Sequence, residues 1–465
     1  MKVDVLVAEI GSTTTVVNAF NHIHTENPVF VGQGQAPTSV MEGDVTIGLN
    51  ASIADLQRSL NTDSLEYDEM FATSSAAGGL KMTVHGLVFD MTARAAKEAA
   101  LGAGAIIHLV TAGKLRRGDL KKIQDLNPNI ILIAGGVDYG ERDTALNNAE
   151  AIRGLNLNIP IIYAGNIENQ EEIKLIFEDT KQRVYIVENV FPRIDELNVE
   201  PTRKVIQEAF EEHIIHAPGM ETIRNVVNEA ITPTPGAVMQ ASKLLGKYLK
   251  DIIVIDVGGA TTDIHSVTVG SDAIARIQVA PEPTAKRTVE GDLGVYVNRE
   301  NIIDLITREK LEEEGFNVDK ILEEYHSIPK NDEEFRFVER LTEVATLMAV
   351  ERHAGRIRYV YGPEGRATLA QGKDLTEIKY IIGTGGALTR LPAGKEIMMK
   401  IMEQDNPEHL LLPNKGAEVL IDHDYIMASL GVLSMKYEDA AAKLLGKSLG
   451  IDLMAIQNEE SDWSS

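Results

Sequence analysis

The sequence predicts an α/β fold of two duplicated lobes, and three observations predict it. At 465 residues the chain exceeds the size at which one hydrophobic core stops growing, so at least two domains are expected, each burying its own core. A short apolar run that ends in an acid and a Gly/hydroxyl turn, followed by a second β-rich run, occurs near the N-terminus and again past the middle of the chain. Around these hairpins, strand-like and helix-like segments alternate as they do in parallel α/β units.

Val3 to Val7 reads as a buried strand, and the turn Glu9-Ile10-Gly11-Ser12-Thr13-Thr14-Thr15 leads into the β-rich run Val16 to Phe20. The Ala-rich segment from Met91 to Gly104 reads as a helix. From Ile130 the pattern alternates: strand Ile130–Ala134, helix Thr144–Arg153, strand Ile159–Ala164, helix Glu171–Asp179, strand Val184–Val187. This implies a small parallel sheet inserted at about 100–225. Thr232-Pro233-Thr234-Pro235-Gly236 reads as a hinge ahead of a helix, Ala237–Leu249. Ile252–Val257 is a second buried strand, and Gly258-Gly259-Ala260-Thr261-Thr262-Asp263 and Ile264–Val269 repeat the first hairpin. A charged, helical period covers about 299–358, with Glu312-Glu313-Glu314 as a solvated face. Tyr380–Ile382 is a strand ending in Gly383-Thr384-Gly385-Gly386, a further helix carries or follows Ser429-Leu430-Gly431, and 457–465 is a polar tail. Gly446-Lys447-Ser448 has the end of a phosphate-binding loop but no first glycine, since Ala441 stands there, and it is read as an ordinary loop.

Composition removes several classes of function. Seventy acidic residues face 45 basic ones, a net charge of −25 that opposes binding to nucleic acid. The absence of cysteine excludes disulfides, thiolate-held iron–sulfur clusters and cysteine nucleophiles. Met1-Lys2-Val3-Asp4-Val5 places an acid where a signal peptide needs an apolar run, and no apolar stretch has the length of a membrane span, so a cytoplasmic protein without membrane contact is expected.

The chemistry sits in the repeated hairpins. Aligned, they set Glu9 against Asp256, Gly11 against Gly258, Ser12 against Gly259, Thr13 against Ala260, Thr14 against Thr261 and Thr15 against Thr262. A turn of glycines and hydroxyl residues aims several backbone N–H groups at one point and cradles phosphate oxygens, while an acid at the preceding strand end holds a hydrated Mg²⁺. Each motif alone is a common structural turn; two of them facing each other would clamp a triphosphate. Gly383-Thr384-Gly385-Gly386, free of bulky side chains, would let adenine and ribose lie against its backbone.

The order of these motifs resembles the actin, Hsp70 and sugar-kinase superfamily of ATPases over the whole length. That resemblance implies two actin-like (ribonuclease H-like) ATPase lobes: 1–245 with the α/β insertion at about 100–225, and 246–456 with the helical elaboration at about 299–358. It places a first phosphate motif at Glu9–Thr15, a first connecting helix at Thr234–Leu245, a second phosphate motif at Asp256–Asp263, an adenosine motif at Gly383–Gly386, and a second connecting helix carrying Gly431. Glu9 departs from the Asp usual in the first motif. Ser74-Ser75-Ala76-Ala77-Gly78-Gly79-Leu80-Lys81-Met82, Ala134-Gly135-Gly136-Val137-Asp138 and Arg287-Thr288-Val289-Glu290-Gly291-Asp292-Leu293-Gly294 resemble, more narrowly, the MutL proteins associated with glutamate mutase, a group unrelated to the mismatch-repair protein of that name. This implies an accessory, chaperone-like ATPase that reactivates an adenosylcobalamin-dependent mutase of glutamate or ornithine type. The chain is not the cobalamin enzyme itself, because Asp263-Ile264-His265 is followed by Thr268 where the cobalt-ligating signature needs Gly.

On this reading the cofactors are ATP or ADP and Mg²⁺. Asp256 is the water-orienting or metal-associated acid, Glu9 holds the metal's hydration shell, and Ser12, Thr13, Thr14, Thr261 and Thr262 with Gly11, Gly258, Gly259 and Ala260 bind phosphate. Asp263→Ala is expected to matter less than Asp256→Ala. A metabolite kinase of the same superfamily is the second reading, and a homo-oligomeric, filament-forming protein the third.

Overall fold

A computed structural model of the chain describes residues 1–39, 43–75, 80–194, 196–214, 223–225, 227–229, 231–362, 365–404 and 409–456. The tail 457–465 and residues 76–79 of the Ser74–Met82 motif lie outside the described residues.

The chain opens with an antiparallel meander, β1 (Lys2–Ile10), β2 (Thr14–Asn21) and β3 (Val29–Pro37), and β4 (Glu66–Ser74) then pairs parallel to β1. Five parallel strands follow: β5 (Leu80–Gly86), β6 (Ala105–Ala112), β7 (Ile130–Ile133), β8 (Ile161–Tyr163) and β9 (Val184–Ile186), in the order β6-β5-β7-β8-β9. The chain returns as β10 (Thr232–Pro233), parallel to β4, which completes a first sheet β3-β2-β1-β4-β10. The second lobe repeats this plan. β11 (Ile252–Val257), β12 (Thr262–Val267) and β13 (Ala285–Glu290) form the meander. After a two-stranded ribbon, β14 (Arg356–Gly362) and β15 (Gly365–Gln371), the strands β16 (Tyr380–Thr384) and β17 (Glu418–Ile421) add in parallel. Two sheets with the same strand order and the same pattern of directions make the chain a duplicated, two-lobed actin-like fold.

Residues two apart on a strand share a face, and both central strands use the two faces differently. On β1, Leu6, Ala8 and Ile10 join the first lobe's core while Val5 and Val7 face the other way; on β11, Ile253, Ile255 and Val257 join the second lobe's core while Ile252 and Val254 face the other way. The four opposite-facing residues meet in one shared core with the helices Thr234–Leu249, Met427–Leu433 and Glu438–Leu449. Burial on both faces explains why these strands read as unbroken apolar runs. The helices Thr234–Leu249 and Met427–Leu433 cross at Gly431, where any Cβ would collide with the Ala237 carbonyl.

The structure differs from the sequence expectation at four places. The inserted sheet begins at Leu80, some way before residue 100, because β5 is one of its interior strands, between β6 and β7. The Thr232–Gly236 segment is no free hinge: Thr232 and Pro233 pair with Thr73 and Ser74, and the helix starts at Thr234 with Pro235 in its first turn, where the missing N–H costs nothing. The helical elaboration ends with Asp332–His353, capped by the Asn331 side chain on the Glu334 amide, and the chain then enters β14. Gly446-Lys447-Ser448 lies within the helix Glu438–Leu449, and the Ser448 hydroxyl donates to Asp422 at 2.5 Å. Among the described residues no helix is long and apolar enough to cross a membrane.

Candidate functional site: the cleft between the two hairpin turns

The duplication extends to individual bonds. Glu9 pairs with Val16 and Ile10 with Thr15 in the first hairpin; Asp256 pairs with Asp263 and Val257 with Thr262 in the second. The Gly11 amide donates to the Thr14 carbonyl at 2.9 Å, and the Gly258 amide donates to the Thr261 carbonyl at the same distance. Glu9 and Asp256 therefore hold equivalent places, two residues before the glycine that closes each turn. The turns face one another: a Cβ at Gly259 would stand 3.3 Å from the Thr13 side chain.

Both turns are held from behind. The Gly258 carbonyl accepts from the Val295 amide (3.3 Å), that of Gly259 from Tyr296 (2.9 Å) and Val297 (2.7 Å), and that of Ala260 from Asn298 Nδ2 (2.8 Å). In the first turn the Thr13 carbonyl accepts from the Thr38 amide (3.0 Å), and Ser12 Oγ donates to the Ser75 carbonyl (3.1 Å). With the carbonyls engaged, the amides of Ser12, Thr13, Gly259, Ala260 and Thr261 have no acceptor among the described residues. These residues line the cleft, so the free donors are available to an anion there. The segment Gly291–Asn298 thus braces the second turn, and Gly294 packs so tightly on Ala260 that any Cβ would overlap the Ala260 carbonyl. Gly294→Ala is expected to displace the turn and weaken binding of a phosphate-bearing ligand such as ATP, if the cleft takes one, by about 10-fold or more, a loss of the order of one charge-assisted hydrogen bond. Titration calorimetry with ATP and Mg²⁺ measures it.

Two acids flank the turns. Glu9 is buried, and its Oε1 accepts from the Ser429 amide (2.9 Å), Ser429 Oγ (2.5 Å) and Asn18 Nδ2 (3.3 Å). Burial pushes its pKa up to about 7 despite the Ser429 donors, with Asp422 adding to the rise. Asp256 accepts no hydrogen bond among the described residues, and Gly385, at φ +82°, lets the third glycine turn lie directly against its carboxylate. Burial first, then the negative charges of Asp263 and Glu9, raise it to about 7 against the opposing pull of Arg287. Two carboxylates that repel one another, lining a cleft of about 350 Å³, are suited to share a divalent cation.

The third motif divides. Gly386 opens the short helix Gly386–Thr389 and lines the cleft together with Ala387, Arg390 and Leu391 and with Ile328, Phe335 and Val338, an apolar recess of the kind a flat heterocycle fills. Gly383 and Thr384 stand behind it. Gly383 packs on Met398 and Ile421, and Thr384 Oγ1 donates to the buried Asp422 at 2.9 Å. Thr262 likewise faces away from the cleft, its Oγ1 donating to the Leu293 carbonyl at 2.6 Å. Gly11, Ser12, Thr13, Thr14, Gly258, Gly259, Ala260 and Thr261 all line the cleft with Glu9 and Asp256.

A family model for the MutL protein matches residues 5–449. The chain belongs to the MutL protein family. Protein MutL of Clostridium tetanomorphum is 35% identical over 460 residues, covering 96% of this chain and 98% of that one. Among solved structures the chain is similar to nucleotide-free acetone carboxylase, at 14% identity and a TM-score of 0.42 over 93% of this chain and 70% of that one. It is also similar to the nucleotide-free diol dehydratase-reactivating factor, at 9% identity and a TM-score of 0.37 over 93% and 99%.

Several residues of the site were not legible as motifs. Asn18 joins Glu9 and Ser429 to Gln33, whose Nε2 donates to Asn18 Oδ1 at 2.8 Å, and Arg390 of the second lobe donates to Gln33 Oε1. Thr261 Oγ1 donates to Asp263 (3.1 Å), and Asp263 accepts from Arg287 Nε (3.0 Å) and Nη2 (2.5 Å). Arg287, fully buried, also donates from Nη1 to the carbonyls of Leu101 (2.9 Å) and Ala105 (3.1 Å) in the inserted domain. The second turn is thereby tied to the insertion through three side chains. Thr261 and Asp263 within the second phosphate motif, Ser429 near Gly431 and Arg287 within the family motif were the advance signals.

Proposed function

We propose that the chain binds ATP with Mg²⁺ in the interlobe cleft and hydrolyses it slowly, as an accessory chaperone that reactivates an adenosylcobalamin-dependent mutase of the glutamate or ornithine type. The observation that carries the nucleotide reading is the facing pair of turns, whose amides are left free while their carbonyls are bound behind. Phosphoryl transfer asks a protein mainly for positioning and charge stabilisation, which preorganised backbone donors supply. In this reading the amides of Ser12, Thr13, Gly259, Ala260 and Thr261, with the hydroxyls of Thr13 and Thr14, hold the phosphate oxygens. Asp256, unbonded and near pKa 7, orients the attacking water and accepts its proton. Glu9, fixed by Asn18 and Ser429, would share with Asp256 the hydration shell of Mg²⁺. That ion, when bound, neutralises charge on the transferring phosphoryl group. Arg390 and the recess around Phe335 hold the base.

Membership of the MutL family supports the mutase as partner. Loss of the γ-phosphate removes the ligand common to both turns, so the lobes can re-orient about the crossed helices at Gly431 and change what the partner meets. A kinase of the same superfamily is distinguished by product. Purified protein with ATP and Mg²⁺ is expected to release phosphate at a basal rate with no acceptor present. A large stimulation by one sugar or carboxylate, with a phosphorylated product, would instead establish the kinase.

A further inference from the structure

The ribbon β14–β15 stands apart from both lobe sheets. Its two strands form a sheet of their own, joined to the second lobe by single bridges from Arg356 to Leu410 and from Ala370 to Gln278 at the base, and isolated two-stranded ribbons are marginal in water. Its base is anchored: the Gly355 amide donates to the Lys373 carbonyl (2.7 Å), the Ile357 amide to the His409 carbonyl (2.9 Å) and the Ala370 amide to the Ile277 carbonyl (2.8 Å). Beyond that base the side chains enter solvent. Tyr361 is 77% exposed, Val360 47% and Tyr359 42%, and Arg358 and Arg366 are exposed as well. Cross-strand pairing puts Tyr359, Tyr361 and Arg366 on one face, with the Arg366 guanidinium 4.3 Å from the centre of the Tyr359 ring.

Such a surface is costly to leave bare and has the composition of an interface centre, where Tyr and Arg are enriched and Lys and Glu depleted. Its charge is the stronger clue. Residues 356–371 contain Arg356, Arg358 and Arg366 against one acid, Glu364, in a chain whose net charge is −25. A local positive pole on an acidic body selects a partner face that carries carboxylates, while the surrounding negative field repels nucleic acid.

We infer that this ribbon is a docking arm for an acidic protein surface, with Tyr361 as the anchor and with Arg366 on the same face and Arg358 on the opposite face as the charge-reading groups. Resting on the mutase reading above, the inference assigns that acidic face to the adenosylcobalamin-dependent mutase. None of Arg358, Tyr361 and Arg366 lines the cleft between the two turns, so docking and basal hydrolysis are separable.

Purified glutamate- and ornithine-type adenosylcobalamin-dependent mutases are titrated with the full-length wild-type chain, with Tyr361→Ala and with the double reversal Arg358→Glu/Arg366→Glu, in ADP and in ATP. Tyr361→Ala is expected to weaken binding by about 10-fold or more, as loss of an aromatic anchor does. The double reversal is expected to weaken it further and to lose the salt dependence that the wild type shows, while basal phosphate release stays unchanged in both. Unaltered affinity in both variants, alongside firm binding by the wild type, would overturn the docking arm and leave the chaperone reading standing. No binding of either mutase by the wild type would overturn both. Sedimentation showing self-association that the same variants abolish would assign the ribbon to a second copy of the chain and refute a mutase contact.

Discussion

Asp256→Asn is expected to slow ATP hydrolysis by about 100-fold or more while leaving the fold intact. The substitution keeps the shape that Gly385 packs against and removes only the ionisable oxygen. In the free protein the Asp256 carboxylate is strained electrostatically: burial and the charges of Asp263 and Glu9 all oppose its ionisation. Deleting that charge relieves repulsion, so thermal stability should hold or rise while turnover collapses. This pairing separates a catalytic role from a structural one. Steady-state phosphate release and thermal melts on the same preparation measure both, and a variant that melts early without losing turnover would remove Asp256 from the chemistry.

Asp263→Ala is expected to act in the opposite way, destabilising the protein by about 3–5 kcal/mol, because it strands a fully buried guanidinium. The sequence leads to the expectation that Asp263→Ala matters less than Asp256→Ala for hydrolysis, and says nothing of stability. The structure gives Asp263 a structural role: it satisfies both Nε and Nη2 of Arg287, and Arg287 in turn holds two carbonyls of the inserted domain. Removing both charges, as in Asp263→Leu/Arg287→Met, is expected to recover much of the loss, since replacing a buried pair with apolar groups is far less costly than breaking it. Denaturant midpoints for the single and double variants decide the matter. Equal stability of Asp263→Ala and wild type would mean that the pair carries no structural weight.

The contrast between these two acids shows what a sequence reveals and what it hides. Glu9 and Asp256 were legible because a duplication places them in equivalent turns, and local spacing alone fixes that equivalence. The same local logic gave the strands β7 to β9 and the helices between them, where apolar runs and periodicity agree. It did not give the contacts of Asn18, Ser429 or Arg287, since each reaches a partner on another strand or helix, from 9 to 420 positions away, and no pattern within one strand or helix encodes such a contact. It also grouped Thr262, Gly383 and Thr384 with the turn residues, although they do not line the cleft. In a strand the outward and inward faces alternate, and which face meets the cleft is set by what packs behind: Leu293 for Thr262, Asp422 for Thr384, Met398 for Gly383. The ribbon was missed for a related reason, because its exposed, charged strands lack the apolar run that marks a buried one, and they follow a long helix without a break in composition.

The central claim is that nucleotide state governs affinity for a mutase. A nucleotide that binds both conformations equally shifts nothing, so ATP and ADP must differ in the mutase affinity they confer. A coupling of about 1–3 kcal/mol, or roughly 5- to 150-fold, is the usual range, and the mutase must change nucleotide affinity by the same factor. The direct measurement is the dissociation constant of the wild-type chain for an adenosylcobalamin-dependent mutase in saturating ATP and in saturating ADP, with recovery of an inactivated mutase followed in parallel. The two nucleotides are expected to confer affinities that differ at least about 5-fold, and recovery is expected to require hydrolysable ATP. Equal affinities together with no ATP-dependent recovery would contradict it.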